Sequence, residues 1–191
     1  MMSENMPKVL KGGEFLIKET NYKTNFIPED INNDQRLIRD TVRDFVENEI
    51  WKRGFKLEEQ QSLLENAASL GLLGAHIPAV YGGVELDTHS NTIISEELGA
   101  GDASFNTTIA AHTGIGMLPI LYFGTEEQKL KYLPGLSSGQ LKASYCLTEP
   151  GSGSDALSAK TKAILDNSGK FYLLNGQKMW ITNAGFADIF I

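Results

Sequence analysis

Positive charge is scarce in this chain. Seventeen lysines and arginines stand against 24 aspartates and glutamates, for a net charge of −7 and a pI near 5.0. A phosphate backbone is held by a basic face, so no nucleic-acid partner is expected. Cysteine is scarcer still: Cys146 is the only one, which excludes an internal disulfide and fits a reducing compartment, so a cytoplasmic location is expected. The three histidines, His76, His89 and His112, lack ligand-like spacing, and no Cys/His cluster accompanies them. No metal site is expected. No apolar run reaches the roughly 18 residues of a transmembrane helix, so none is expected. Met1–Lys11 has neither the apolar centre of a signal peptide nor the Arg-rich, acid-poor character of a transit peptide. Internal repeats, low-complexity segments and long charge blocks are also missing.

What is present suits a globular fold. Of the 191 residues, 41% are hydrophobic and 21% charged, enough for a sizeable core in one domain or a domain and a half. The final run, Ala187-Asp188-Ile189-Phe190-Ile191, is apolar and β-prone and stops without a turn or polar tail, so the chain is expected to be a fragment.

Periodicity divides the chain near residue 140. Residues 1–32 are weakly periodic and form an expected extension. Apolar residues at Ile38, Val42, Phe45, Val46 and Ile50 then make a helical stripe, with Asn33 or Asp34 as N-cap and Gly54 as its end. A second helix is expected from Leu57 to Leu70, with Leu57, Leu64, Ala67, Ala68 and Leu70 inward and Gly71 behind it. A third covers about Thr88 to Leu98. Ser104 to Phe123 reads as a buried helix that Pro119 kinks or splits. Thr125-Glu126-Glu127-Gln128 is a capping box opening a helix that stops at Pro134. From there the pattern is β: Ala143–Thr148, Ala163–Leu165, Phe171–Leu174 and Lys178–Thr182, with turns at Asp166–Gly169 and Asn175-Gly176. The expected class is α+β: a helical domain over 33–140, then the start of an antiparallel β-domain over 141–191.

The stretch CLTEPGSGSDA, Cys146 to Ala156, contains G-x-G-x-x-A, the lettering of a dinucleotide-binding turn. Its context is wrong for one. Thr148-Glu149-Pro150 interrupts the strand before the first glycine, no helix follows, and Phe171–Lys178 offers no acid for a ribose. What remains is a strand end, two glycines and the hydroxyls of Thr148, Ser152 and Ser154. That combination suits an anion or a flat polar heterocycle. It also suits a plain surface loop, which is the better reading of the loop alone. Downstream, strand alternation over Gln177–Asn183 puts Trp180 and Thr182 on one face, an aromatic plane beside a hydroxyl donor. Singly, each reads better as a core tryptophan and a β-favouring threonine.

Taken together, the two stretches resemble the acyl-CoA dehydrogenases. Tyr145-Cys146-Leu147-Thr148-Glu149-Pro150-Gly151-Ser152-Gly153-Ser154-Asp155 is similar to that family's first motif without a gap. Asn175-Gly176-Gln177-Lys178-Met179-Trp180-Ile181-Thr182-Asn183 is similar to its second. Tyr81-Gly82-Gly83, Glu96-Glu97-Leu98-Gly99, Phe123-Gly124-Thr125 and Lys131-Tyr132-Leu133-Pro134 support the resemblance, which covers the chain from about residue 35 onward. Lys11–Ile17 and Ala111-His112-Thr113-Gly114-Ile115-Gly116 look like the long- and very-long-chain branch.

The resemblance implies FAD as cofactor and oxidation of acyl-CoA thioesters to trans-2-enoyl-CoA. It implies cofactor contacts from Tyr145, Cys146, Leu147, Thr148, Gly153, Ser154, Trp180, Ile181 and Thr182, with Ser154 also meeting the CoA portion. Thr148 would meet the flavin pyrimidine edge, Trp180 would pack beside the ring, and Thr182 would donate toward N5. The family's base is a glutamate in a C-terminal helical domain absent here, so no catalytic residue is expected in this chain. Glu97 and Glu149 are read as structural carboxylates. Electron-transfer flavoprotein is the expected acceptor, and a homo-oligomer the expected full-length state. Two other readings stay open: a non-catalytic relative serving assembly or binding, and a related acyl-CoA oxidase or flavin monooxygenase. From the residues themselves, Cys146 reads as a small hydrophobe rather than a nucleophile. His112, on an apolar helix, reads as a satisfied core or substrate-channel residue.

Overall fold

The computed structural model describes residues 12–19, 30–52 and 56–191. Lys11, most of the 1–32 extension and the Gly54 helix end lie outside the described residues, as does the side chain of Leu57; Gly12–Leu16 forms one short 3-10 turn.

Helix α1, Asn33–Phe45, opens on Asn32 rather than on Asn33 or Asp34. The choice follows from Gln35, three positions on. Asn32 accepts the Gln35 N–H at 2.8 Å while the Gln35 side chain accepts the Asn32 N–H at 3.2 Å, a reciprocal box only this spacing permits. A π-helical turn, Val46–Trp51, continues α1 and keeps Ile50 buried beside Val42, Phe45 and Val46. Helix α2, Gln60–Ser69, buries Leu63, Leu64 and Ala67. Leu70, expected inward, is 45% exposed: it is the cap residue past the last turn, and Gly71, at φ 76°, reverses the chain.

Helix α3, Thr88–Gly101, is capped by Asp87, and α4, Ala103–Ala110, by Asp102, which accepts the Ser104 and Phe105 N–H groups, each at 2.9 Å. The expected long helix to Phe123 is three consecutive pieces: α4, a π-helical turn Ala111–Met117, and α5, Leu118–Phe123. Pro119 sits in the first turn of α5, where its missing N–H costs nothing. Helix α6, Glu126–Ser137, opens on the expected Thr125–Gln128 box but does not stop at Pro134. It loses one backbone bond there and runs on to bury Leu136 as completely as Leu133.

Two apolar clusters result. One joins α1, α2, α3 and α4 through Val42, Phe45, Leu64, Leu73, Leu98 and Phe105, with the Phe45 and Phe105 rings 6.1 Å apart. The other joins Met117, Ile120, Leu133, Leu136 and Ala143.

The β part is smaller than expected. Strands β2, Lys162–Leu165, and β3, Tyr172–Asn175, form the antiparallel hairpin, turning at Asp166–Gly169 with Gly169 at φ 69°. Strand β1 is only Ala143–Ser144, and it pairs parallel with β4, Ile189–Phe190, so the final apolar run has a partner after all. Lys178–Thr182 is not a strand, and Asn175-Gly176 joins no pair of strands. The Met179 N–H goes to the carbonyl of Thr148 instead of to β3. The class is α+β, as expected. Among the described residues no helix is long and apolar enough to cross a membrane.

Candidate functional site

The two motifs meet beyond the end of β1. Their seat is built by the helices. Ala143 lies against the π-helical turn so closely that a Cβ on Gly116 would come within 2.6 Å of its methyl. From that turn the buried His112 reaches both ways: its Nδ1 accepts the Ala143 N–H at 3.0 Å, and its Nε2 lies 3.0 Å from the Leu136 carbonyl. An Nδ1 that accepts leaves the proton on Nε2, so the ring is neutral and donates to Leu136. Burial pushes its pKa below the usual histidine value in support. His112 is a satisfied core residue that sets the register of β1 on the helices.

Asn183 fixes the second motif to the same point. Buried, and in the left-handed region at φ 68°, it donates from Nδ2 to the carbonyls of Thr108 at 3.0 Å and Ala143 at 3.3 Å. Ser144 adds a bond from Oγ to the Thr182 carbonyl at 2.5 Å. Asparagine is one of the few side-chain-bearing residues that tolerates this backbone while offering two donors.

Across the gap, the Met179 N–H donates to the Thr148 carbonyl at 2.9 Å. Lys178 Nζ donates to the Leu147 carbonyl and to Glu149 Oε1, each at 2.9 Å. Glu149 is buried and also accepts the backbone N–H groups of Lys160 at 2.6 Å and Thr161 at 3.0 Å. The Thr161 side chain, the Lys160 amide and the Lys178 ammonium hold its carboxyl down at about 2. Glu97 is likewise committed: on α3, it takes a two-point contact from Arg43 of α1 at 2.6 and 3.0 Å. Both carboxylates are thus occupied by partners within the chain.

The loop folds on itself through paired backbone bonds between Glu149 and Ser152, at 3.0 and 3.1 Å. Ser152 is therefore buried, with its Oγ on the Asp155 carbonyl at 2.7 Å, while Gly151, Gly153 and Ser154 face outward. A Cβ at Gly151 or Gly153 would meet nothing within 4 Å. Tyr145, Cys146 and Thr148 are half-buried and Leu147 is exposed; burial pushes the Cys146 thiol up, against a nucleophilic role. Ile181 and Thr182 are half-buried, and Trp180 is 85% exposed.

One expectation fails in its reasoning. Trp180 and Thr182 do not share a face by strand alternation, because Trp180 has φ 59° and the segment is a turn. Left-handed backbone under a bulky aromatic is strained by about 1–3 kcal/mol and persists only where neighbours enforce it. Here Lys178 and Met179 hold the segment on one side and Asn183 on the other. Sequence reasoning passed over Ser144, Lys178 and Asn183 as site builders. The available signal was Asn183, a residue suited to positive φ directly after the Trp-Ile-Thr stretch.

Among the described residues no group of His, Cys, Asp and Glu side chains is arranged to hold a metal ion. The site is a loop edge with outward Gly151, Gly153 and Ser154, tied through Thr148 to the segment that carries the exposed Trp180.

The comparisons with known proteins fit this arrangement. Residues 32–140 match the model of the acyl-CoA dehydrogenase N-terminal domain, and residues 144–191 match that of the acyl-CoA dehydrogenase middle domain. The chain belongs to the acyl-CoA dehydrogenase family. It is 47% identical to a probable acyl-CoA dehydrogenase of Bacillus subtilis (strain 168), over all of this chain and 33% of that protein. It is 45% identical to the human mitochondrial very long-chain specific acyl-CoA dehydrogenase, over 69% of this chain and 20% of that protein. The crystal structure of an acyl-CoA dehydrogenase from Bacillus anthracis, complexed with FAD, superposes with a TM-score of 0.88 and 48% identity, over 95% of this chain and 32% of that one. The chain thus spans between a fifth and a third of the length of these relatives.

Proposed function

We propose that this chain supplies the flavin-facing edge of an FAD-dependent acyl-CoA dehydrogenase that converts long-chain acyl-CoA thioesters to trans-2-enoyl-CoA. The observation that carries the reading is the Met179–Thr148 backbone bond, which ties the Thr148 carbonyl to the segment leading into Trp180–Thr182. The residues suit a flavin: an exposed aromatic plane, hydroxyls at Thr148, Ser154 and Thr182, and two outward glycines with open space over them. FAD, when bound, supplies the hydride acceptor for the substrate β-carbon.

Around it the chain's own residues divide the work. The strand end and loop, Tyr145 to Thr148 with Gly153 and Ser154, line the cofactor, and Thr148 meets its pyrimidine edge. Trp180 packs beside the ring and excludes water. Thr182 and its neighbour Ile181 would line the reactive centre, where the Thr182 hydroxyl would donate toward N5 and stabilise the charge that develops there. The Thr182 carbonyl already accepts from Ser144, which leaves the hydroxyl as the group free to serve. Ser154 also meets the CoA portion. The α-proton goes to neither Glu97 nor Glu149, since ion pairs and amide bonds already occupy both. Electron-transfer flavoprotein takes the electrons, the working state is a homo-oligomer, and the location is cytoplasmic.

Thr182→Val tests the reading in a full-length enzyme containing this chain. Under anaerobic conditions with palmitoyl-CoA, flavin reduction is expected to slow by about 10²-fold, the usual loss for one such donor, with FAD still bound. An unchanged reduction rate removes Thr182 from that role. No bleaching of the wild-type flavin by any acyl-CoA would favour a non-catalytic assembly module instead.

A further inference from the structure

We propose that Lys178 is the positioning residue of this edge: one ammonium ties the loop after β1 to the turn that carries Trp180, without itself touching the cofactor. The inference rests on the flavin reading above for its functional half and on geometry alone for its structural half.

Among the described residues no β-ladder joins the two segments. Hydrogen bonds hold residues 147–149 to residues 178–179: Met179 N–H to the Thr148 carbonyl, and Lys178 Nζ to the Leu147 carbonyl and to Glu149 Oε1, all at 2.9 Å. All but the first come from the Lys178 side chain. That side chain is mostly covered, at 24% exposed, and that of Glu149 is covered almost completely, at 6%. Glu149 in turn holds the Lys160 and Thr161 amides, so the ammonium is connected through one carboxylate to the far limb of the glycine loop. A covered carboxylate deprived of its cation either draws in water or rearranges, and either outcome loosens the loop.

The consequence for the site follows from chain connectivity. Trp180 lies two residues beyond Lys178 on left-handed backbone that the residue type does not favour. Behind it, Asn183 is anchored on Thr108 and Ala143. Releasing Lys178 weakens the hold on the front of the strained turn while its rear stays fixed, so the Met179 N–H and the Thr148 carbonyl separate first. A residue of general structural importance would instead loosen the helices as well.

The test compares Lys178→Met, which deletes both side-chain bonds, with Lys178→Arg, which can keep them. Both readouts use a full-length enzyme containing this chain: one is amide hydrogen exchange in its flavin-free form, and the other is FAD affinity by titration. In Lys178→Met, exchange at the Met179 amide is expected to rise at least about tenfold, while the Leu64 and Leu98 amides of α2 and α3 keep their rates. FAD affinity is expected to fall at least about tenfold, and Lys178→Arg should restore both measures to within about threefold. Lys178→Gln, which keeps one donor, should fall between them and replaces the methionine variant if that does not fold. Unchanged exchange at Met179 overturns the proposal, and so does an equal rise across the helices. Faster exchange with unaltered FAD affinity overturns the positioning role. Failure of the wild-type protein to bind FAD at all overturns the flavin reading and, with it, the cofactor half of this inference; the exchange measurement still decides whether Lys178 ties the two segments.

Discussion

The helices of residues 33–137 and the hairpin of residues 162–175 treat the same kinds of side chain in opposite ways. Val42, Leu64, Leu98, Phe105 and Leu133 are fully or almost fully buried, whereas Leu165, Phe171, Tyr172, Leu173 and Leu174 stand in solvent, Leu174 at 74%. Both regions carry strong local signals, a 3.6-residue stripe in one and a turn between β-prone runs in the other. The difference lies in partners. The helices pack against one another around shared apolar clusters, but among the described residues the hairpin pairs only with itself and buries neither face. Burial supplies most of the free energy of folding, so stability and cooperativity should concentrate in the helical half. The site sits where the two regimes meet, anchored by His112 and Asn183 on the helical side and reaching out through the loop and Trp180 on the other.

The sharpest way to break this comparison is a pair of truncations. Phe105→Ala empties a fully buried site against Phe45 and should cost about 3–5 kcal/mol. Leu174→Ala removes a similar kind of side chain from the hairpin and should change global stability by no more than about 0.5 kcal/mol. Urea unfolding followed by helical circular dichroism measures both. Comparable losses from the two would mean that the hairpin is part of the cooperative unit.

A smaller effect comes from acid. His112 is neutral and buried, with its pKa pushed down from 6.5, so below that value the unfolded chain takes up a proton that the folded chain refuses. Its contribution is complete above about pH 6.5 and is lost as the pH falls toward the folded value. Stability is therefore expected to fall between pH 7.5 and 5.5. Half-buried His76 shifts in the same direction, so the measurement must be a difference. Against the wild type, His112→Gln should show a shallower fall in stability over this interval. Glu149 acts lower, with its stabilisation intact above about 4.5 and lost as the pH approaches about 2, so the two groups separate on the pH axis. Equal slopes for wild type and variant would show that His112 does not link stability to pH.

Much of the helical half could be read from the chain because its signals are local. The stripe from Val42 to Ile50, the Thr125 cap and the Pro119 break each depend on residues within a turn or two. Errors there were of one kind. Asn32 displaced Asn33 as cap because Gln35 completes its box, and Pro134 stayed inside α6 because Leu136 had a core to fill. The site was legible in its members and not in its geometry. Period-two alternation made Lys178–Thr182 a strand, but the Met179 N–H was claimed by Thr148, about thirty positions earlier, and Trp180 turned left-handed. No local pattern reports a bond of that separation. The parallel pairing of β1 with β4 escaped for the same reason: alternation and turn residues speak of hairpins, not of strands brought together by helices.

The smallest effect returns to the comparison through two capped turns. Thr125 accepts the Gln128 N–H at the start of α6, and Asp166 accepts the Lys170 and Phe171 N–H groups at the hairpin turn. Each is a short side chain satisfying backbone donors, so replacing either with alanine removes a similar local interaction, worth about 1 kcal/mol. The consequences should differ because the elements they start are coupled differently. Helix α6 carries Leu133 and Leu136 into the second apolar cluster, so Thr125→Ala should lower global stability by most of that ~1 kcal/mol. The Asp166 turn closes a hairpin whose side chains contribute no core, so Asp166→Ala should leave the global transition in place. Its effect should appear as faster amide exchange at Lys162–Leu165 alone. A matching drop in the global transition for Asp166→Ala would mean that a turn well beyond the last α-helix stabilises the whole chain, and that burial is the wrong measure of where its cooperativity lies.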